Sequence, residues 1–239
     1  YYLRTGHQLC IGDDDITTFV AKINPILLVR NFYHSFTTLW HDTLGQISLA
    51  VTTLFWGAGA TLQFIVLKWA QHSLGLTLDK AAFLQGIVAV GIACGAVSAA
   101  KFIKLRQSLK VMPLGVAMGM VVMIMTLVHS VYLAYPLLVL VGALAGFFVV
   151  PMNALLQHRG HVLLSAGHSI AVQNFNENLS ILTMLGVYSL LVSLDLSVNA
   201  VIVIFGSFVS CMMLLVINWH NRNQKVEDSL HLIGEDKRH

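Results

Sequence analysis

The sequence predicts an all-α membrane protein with six transmembrane helices, a prediction that starts from composition. Of its 239 residues, 56% are hydrophobic and only 10% are charged, and the mean hydropathy is +0.75. An average soluble domain has about 25% charged residues, so a soluble core of this size would leave too few charges for its surface. In a bilayer, by contrast, apolar side chains face lipid. Long charge-free stretches and an uneven distribution of Lys and Arg support the same fold class.

The charge-free stretches set the number of spans, because about 20 residues at ~1.5 Å per residue cross the hydrocarbon layer. One stretch is long enough for two helices, with a turn at residues 129–136, where Tyr and His suit the interface and Pro136 suits the first turn of a new helix. Backbone amides in lipid must bond internally, and the runs are too long for barrel strands. The predicted spans are residues 46–70, 80–103, 111–133, 135–157, 168–193 and 197–218.

Lys and Arg outside the spans fall mainly on one side of the membrane if there are six spans. That side holds Lys101, Lys104, Arg106 and Lys110, then Arg159 with His158 and His161, and the tail residues Arg222, Lys225, Lys237 and Arg238. The other side holds Lys80, with Lys68 near the end of its span. Because basic loops stay inside, both termini are expected to be cytoplasmic.

The sequence divides into three parts: a cytoplasmic linker at 1–43, a six-helix transmembrane domain at 44–220 and a cytoplasmic tail at 221–239. The linker contains a predicted amphipathic helix that packs either on lipid or on the protein, and the pattern leaves both open. Its apolar face has Val29, Phe32, Tyr33, Phe36, Leu39 and Trp40, and its polar face has Arg30, Asn31, Ser35, Thr37 and Asp42. The chain begins with Tyr and not Met, so we expect a fragment.

The spans differ in polarity, which indicates what each one faces. Polar groups inside a membrane face protein or water, so the first, fourth and fifth spans are expected to line a cavity, and the apolar third and sixth to face lipid. The polar set is Gln63, Lys68, Asn153, Gln157, Gln173, Asn174, Asn176, Glu177 and Asn178. Glycines four residues apart predict close helix packing; they are Gly91 and Gly95, Gly115 and Gly119, and Gly142 and Gly146.

The fifth span contains the densest polar stretch, QNFNEN at residues 173–178. At about 100° per residue, Gln173, Asn174 and Glu177 share one face with Asn178 at its edge, and Asn176 is expected to bond a neighbouring helix. Glu177 lies ~13 Å into the helix, where a carboxylate is costly unless it is protonated, paired or hydrated. It either contacts a substrate or coupling ion, or fixes helix packing through hydrogen bonds.

Two further residues of the spans have a structural and a functional interpretation. Lys68 either extends to the headgroups along its aliphatic stem or meets an anionic headgroup in a cavity. Pro151 removes a helix hydrogen bond and predicts a kink in the fourth span, of a kind common both in gating helices and in inert ones.

Enzymatic sites are not predicted. Residues 165–169, SAGHS, contain the residue types of a nucleophile and its base, but the segment lies in a predicted cytoplasmic loop without a buried histidine. Neither the histidines nor Cys10, Cys94 and Cys211 have the spacing of a metal site. We therefore predict no catalytic residue, metal or cofactor, and the dispersed basic residues predict no nucleic-acid partner.

Three strings resemble helices of the bacterial lysophospholipid transporters, a branch of the major facilitator superfamily. TLFWGAGATL at 53–62 resembles their seventh helix, and GFFVVPMNALLQ at 146–157, followed by Arg159 and Gly160, resembles their tenth. Gly167, residues 171–174 and Glu177 with Asn178 resemble their eleventh. The similarity runs from about residue 25 to 220, and the strings are long and unusual enough to be specific.

The resemblance implies a half-bundle of the major-facilitator type, namely the C-terminal six of twelve helices, with residues 1–43 as the central loop. In this fold the first, second, fourth and fifth helices of each half line the cavity. The implied function is movement of lysophospholipids across the bacterial inner membrane, from the outer to the inner leaflet, where a partner acyltransferase re-acylates them. The alternatives are a facilitator for another amphipathic or small solute, and a non-transporting membrane scaffold for an acyltransferase.

Overall fold

The computed structural model describes residues 25–226 and residue 233, and all regular structure within 25–226 is helical. The seven α-helices are α1 (Pro25–His41), α2 (Thr43–Ser73), α3 (Leu78–Phe102), α4 (Met112–Ile124), α5 (Val131–Leu163), α6 (Ala166–Ser193) and α7 (Val198–Val226). Short 3-10 turns extend α4 at both ends, at Leu105–Val111 and Met125–Leu127. Helices α2 to α7 are long and apolar enough to cross a membrane, which confirms the predicted fold class with its six spans.

The turn between α4 and α5 is shorter than the sequence predicts. Helix α5 begins at Val131, so the prediction that Pro136 lies in the first turn is wrong. The backbone amides of Leu133 and Ala134 already donate to the carbonyl of Ser130, at 3.2 and 3.0 Å. Pro136 has no amide hydrogen to donate to the backbone carbonyl of Tyr132, four residues before it. Tyr132 is exposed, so headgroups or water can donate to that carbonyl instead.

The predicted loop between the fourth and fifth spans is mostly helix. Arg159 lies inside α5 with His158 and His161, so their assignment to a loop is wrong. The Arg159 side chain is 3% exposed and forms a two-point ion pair with Asp42, with Nη2 to Oδ1 at 2.6 Å and Nε to Oδ2 at 2.9 Å. Because Asp42 neutralises this charge, the helix can bury Arg159 instead of ending before it.

Asp42 has a second role at the start of α2. Its Oδ2 accepts a hydrogen bond of 2.7 Å from the backbone amide of Gly45, which makes Asp42 the N-cap of the helix. One carboxylate therefore begins α2 and holds α5 through Arg159.

Helix α1 exists as predicted and packs on the protein. The ring of Phe175 in α6 lies 5.3 Å from that of Phe32 and 6.3 Å from that of Phe36. The predicted division into faces is wrong at Ser35, which is buried, whereas Val29 and Tyr33 of the predicted apolar face are exposed. The contact with Phe175 sets the rotation of the helix, and Ser35 tolerates burial because its hydroxyl donates to the carbonyl of Asn31 at 2.9 Å.

The glycine pairs of α3 and α5 face each other. A Cβ atom on Gly95 would collide with the backbone of Ala143 in α5, and one on Gly142 would collide with the carbonyl oxygen of Val88 in α3. The backbones therefore touch, as small residues at membrane helix interfaces permit.

Helices α4 and α7 form a second close pair. A Cβ atom on Gly119 of α4 would lie 2.8 Å from the carbonyl oxygen of Gly206 in α7 and 3.0 Å from the amide nitrogen of Ser210. The close packing predicted at the three glycine pairs is confirmed, and these glycines lie at two helix interfaces, α3 with α5 and α4 with α7.

Helices α2 and α6 run parallel at equal depth. A Cβ atom on Gly57 would collide with Ser180, and the ring of Phe64 lies 6.1 Å from that of Tyr188. Helix α6 is much less enclosed than α2, since 6% of its apolar window is buried against 44% for α2. The polar helix α6 thus presents most of its surface outward from these six helices.

Candidate functional site

The structure brings together three of the predicted polar residues, Asn153 of α5 with Gln173 and Glu177 of α6. The side-chain amide of Gln173 donates to Oε1 of Glu177 at 2.7 Å and to Oδ1 of Asn153 at 3.3 Å. All three side chains are partly buried. We call these residues the polar cluster; it joins α5 to α6 about ten to sixteen ångströms, or roughly seven to eleven residues, into α6.

Glu177 is the charged member of the polar cluster. Among the residues that the structure describes, no Lys, Arg or His lies within ion-pair distance of it. Gln173 donates to one of its oxygens, and a carboxylate has further acceptor positions. A partly exposed carboxylate at this depth can accept a proton, a cation or an ammonium group, which is the chemistry of a transport site.

Asn174 and Asn178 lie beside the polar cluster on the exposed surface of α6. The side-chain amide of Asn178 donates to the backbone carbonyl of Asn174 at 2.7 Å. The prediction that Asn176 bonds a neighbouring helix is wrong. Its amide donates to the carbonyl of Val172 in its own helix at 2.8 Å, because a short side chain reaches the carbonyl one turn back.

Gln63 and Lys68 lie near the far end of α2, away from the polar cluster. Gly57 is level with Ser180, Gln63 is six residues beyond Gly57, and Glu177 is three residues before Ser180. These nine residues correspond to ~13 Å along the helices. The predicted site residues therefore form two groups at different depths. Gln63 and Glu177 are too far apart to contact the same small group of a ligand.

Near the far end of α2, the backbone of this helix is bonded to α3. The side-chain amide of Gln85 in α3 donates to the backbone carbonyl of Gln63 at 2.7 Å, which leaves the Gln63 side chain exposed. Lys68 is exposed over a shallow groove of about 60 Å³ that Tyr188 also lines. Both side chains are thus accessible to a polar ligand.

A cavity of about 400 Å³ lies among the six spans. The sequence predicts a cavity lined by the first, fourth and fifth spans, whereas all six contribute to this one. Its walls are apolar, and its side-chain amides belong to Gln63 and Gln85. Helices α4 and α7 contribute to the walls through Met118 and Phe205, although the sequence assigned these helices to lipid. The available signal was the run of small residues at 57–60 in α2, which leaves room beside the helix.

Ser165 and His168 form a helix cap. The Ser165 hydroxyl lies 2.6 Å from Nδ1 of His168 and accepts from the His168 backbone amide at 3.4 Å, where it begins α6. Both residues are exposed. Their proximity follows from N-cap geometry and does not require a catalytic role.

Pro151 is buried within α5, which continues as a helix through it. The kink predicted at this residue stays a prediction.

Comparison with known proteins decides between the possible families. The chain is 48% identical over 179 residues to the lysophospholipid transporter LplT of Pectobacterium carotovorum subsp. carotovorum (strain PC1), a match that covers 74% of the chain. It is 43% identical over 202 residues to the lysophospholipid transporter LplT of Escherichia coli O1:K1 / APEC, which covers 84% of the chain. The chain is a homologue of these lysophospholipid transporters. The resemblance stated from its sequence strings is confirmed.

The matches cover 44% and 51% of the two transporters, so the chain spans about half the length of the curated relatives it matches. No protein-family model matches the chain, and no solved structure matches it.

Proposed function

We propose that the chain supplies one six-helix half of a transporter that moves lysophospholipids across the bacterial inner membrane. Movement runs from the outer to the inner leaflet, where a partner acyltransferase re-acylates the product. The observation that carries the proposal is the homology to lysophospholipid transporters over 74% to 84% of the chain. The polar cluster, set in an otherwise apolar helix, supports a transport role because intramembrane ionisable residues are usually functional.

A second six-helix half would cover the outward surface of α6. The low burial of α6, 6% of its apolar window, leaves polar side chains without a protein wall on one side. The curated relatives are about twice the length of the matched region, which leaves room for such a half. The transport path would then lie between the halves, along α6 and the polar cluster.

The two polar groups take different parts of the task in this proposal. Glu177, Gln173 and Asn153, with Asn174 and Asn178 beside them, bind the substrate headgroup or a coupling ion inside the membrane. This assignment rests on the hydrogen bonds within the cluster and on the absence of a neighbouring cation among the described residues.

Gln63 and Lys68 receive the headgroup on the outer side. An exposed ammonium near the membrane surface attracts a phosphate, and an exposed amide adds a hydrogen bond. Along the helices Gln63 lies ~13 Å and Lys68 ~21 Å from Glu177, which fits successive stations of a headgroup that crosses the membrane.

The orientation places both ends of the six-helix domain in the cytoplasm. The exposed residues Lys101, Lys104, Arg106 and Lys110 lie at the end of the bundle where α2 and α6 begin, as the bias for inward positive charge requires. Lys68 and Lys80 then lie on the outer side.

A leaflet-flip assay on the full-length protein tests the proposal. Fluorescent lysophosphatidylethanolamine is added to one side of vesicles with and without protein, and a membrane-impermeant reductant removes the fluorescence that stays outside. Protein-dependent protection of the fluorophore supports transport. Absence of protection in vesicles in which the acyltransferase still binds the protein contradicts it and favours the scaffold.

A further inference from the structure

The cavity of about 400 Å³ among the six spans is lined by none of the residues of the polar cluster. We propose that it holds the acyl chain of a single-chain phospholipid, whose headgroup lies at the mouth beside Gln63 and Gln85. The inference rests on the proposed lysophospholipid transport and adds a place for the part of the substrate that the polar groups do not contact.

The interior of the cavity is suited to hydrocarbon. Phe55, Val88, Val122 and Phe205 line it from four different helices. Gly59 widens it, since a Cβ atom added there would meet nothing within 4 Å. The walls are therefore apolar on every side, with open space against α2.

An occupant other than an acyl chain does not fit these walls. Packed protein interiors contain few voids larger than a water molecule, and a buried water needs two to four polar partners. Here the amide side chains lie at one place, Gln63 and Gln85. In a bilayer the abundant apolar molecules are acyl chains, so one of these fills the space.

The shape of the substrate favours one chain over two. The cavity of about 400 Å³ is one continuous space. A single-chain phospholipid can place its whole hydrocarbon part there, whereas a diacyl phospholipid brings a second chain that competes for the same space. We therefore expect the site to prefer the lyso form.

Gln63 and Gln85 supply the side-chain amides of the cavity lining. The bond of 2.7 Å from Gln85 to the Gln63 carbonyl holds α2 and α3 together there. Lys68 is five residues further along α2, or ~7.5 Å towards the proposed outer surface, and lines a separate groove with Tyr188. Phe55 lies eight residues in the other direction, ~12 Å deeper. A chain that enters at Gln63 therefore runs inward along the apolar wall.

Quenching of Trp56 fluorescence tests the proposal, because Trp56 lines the cavity. The full-length protein is reconstituted with lysophosphatidylethanolamine that is brominated at mid-chain, and its emission is compared with that of the Trp56→Phe variant. Trp56 is 41% exposed, so a diacyl phosphatidylethanolamine with the same bromine content measures the quenching from lipid contact alone. We expect stronger quenching of Trp56 by the single-chain lipid at equal bromine content.

Filling the cavity supplies the matched variants. Gly59→Leu places a side chain in the cavity, and Ala89→Leu narrows it from α3; either should remove the extra quenching. Gly186→Leu is the control, because Gly186 is a helical glycine with nothing within 4 Å that lies outside the cavity lining. The single-chain lipid should quench Trp56 in this variant as strongly as in the wild type.

Equal quenching by the two lipids, or extra quenching that survives both filling variants, overturns the acyl-chain site. The flip assay separates this from the proposed function. Wild-type flipping without extra quenching rejects the cavity site alone, whereas extra quenching without flipping rejects transport and keeps the site.

Discussion

Single residues hold this bundle together where its helices begin and end. Asp42 caps α2 and pairs at two points with Arg159 of α5, and both side chains are nearly inaccessible. A buried ion pair adds little over an apolar pair of the same shape, but removal of one partner leaves a buried charge uncompensated. The pair therefore fixes where α1 meets α2 more than it adds to stability.

Removal of the Arg159 side chain should be costly. Arg159→Ala leaves the Asp42 carboxylate buried without its counter-charge, so we expect the free energy of unfolding to fall by about 3–5 kcal/mol. Denaturant titration of the full-length protein in detergent measures this. Arg106→Ala removes an exposed arginine and should change stability by less than about 0.5 kcal/mol.

A double variant separates the charge effect from lost packing. Asp42→Asn keeps an N-cap residue, and Arg159→Met keeps an apolar stem, so the two together should recover much of the loss. Equal changes in the free energy of unfolding for Arg159→Ala and Arg106→Ala would show that the ion pair does not stabilise the fold.

At the scale of helices, the glycines of α3 determine which partner it has. Gly91 and Gly95 bring its backbone against α5, where Gly142 and Gly146 lie opposite. Lipid surrounds both helices and offers no hydrophobic drive for their association, so close backbone contact is the main source of their attraction. Helix α3 also carries a glycine that faces open space, Gly86.

Two substitutions in one helix test this packing. Gly95→Leu drives a side chain into the backbone of Ala143, and we expect a loss of stability of about 1–3 kcal/mol from overpacking. Gly86→Leu makes the same chemical change where nothing lies within 4 Å and should not destabilise. The unfolding midpoints of both variants in detergent give the comparison, and similar losses at the two positions would contradict the close α3–α5 contact.

At the scale of the whole molecule, the proposed orientation puts both ends of the six-helix domain in the cytoplasm. Cysteine labelling from outside the cell tests it in a background from which Cys10, Cys94 and Cys211 are removed. A cysteine at Ser197, in the turn between α6 and α7, should react with a membrane-impermeant maleimide in intact cells. A cysteine at Lys104 should react only after the membrane is opened, and the opposite pattern would invert the topology.

The sequence predicts what depends on hydropathy and neighbouring residues, and misses what depends on distant contacts. The span count and the close packing at Gly91 and Gly142 follow from composition and spacing. Arg159 was assigned to a loop because its charge partner, Asp42, is 117 residues away in the chain. The sequence predicts the interfacial turn too late because Pro136 is tolerated inside α5, where Tyr132, whose carbonyl loses its helix bond, is exposed.

The candidate site shows the same division. The grouping of Gln173 with Glu177 follows from helical periodicity, whereas the bond to Asn153 depends on how α5 crosses α6. Span polarity predicts a cavity lined by the first, fourth and fifth spans, but the apolar cavity observed has walls from all six helices, which no local pattern predicts. Whether these residues bind substrate stays a prediction.

The flipping rate of a Glu177→Gln variant tests the central claim most directly. The substitution keeps the shape and a hydrogen-bonding group beside Gln173 but removes the charge. A hydrogen bond to a charged group contributes about 1.5–3 kcal/mol, so we expect lysophosphatidylethanolamine flipping to slow about tenfold or more. The control variant Asp79→Asn removes an exposed carboxylate from the first turn of α3. It should flip lysophosphatidylethanolamine at the wild-type rate. A Glu177→Gln rate equal to wild type would remove the carboxylate from the mechanism, and no flipping by wild type would contradict the transporter itself.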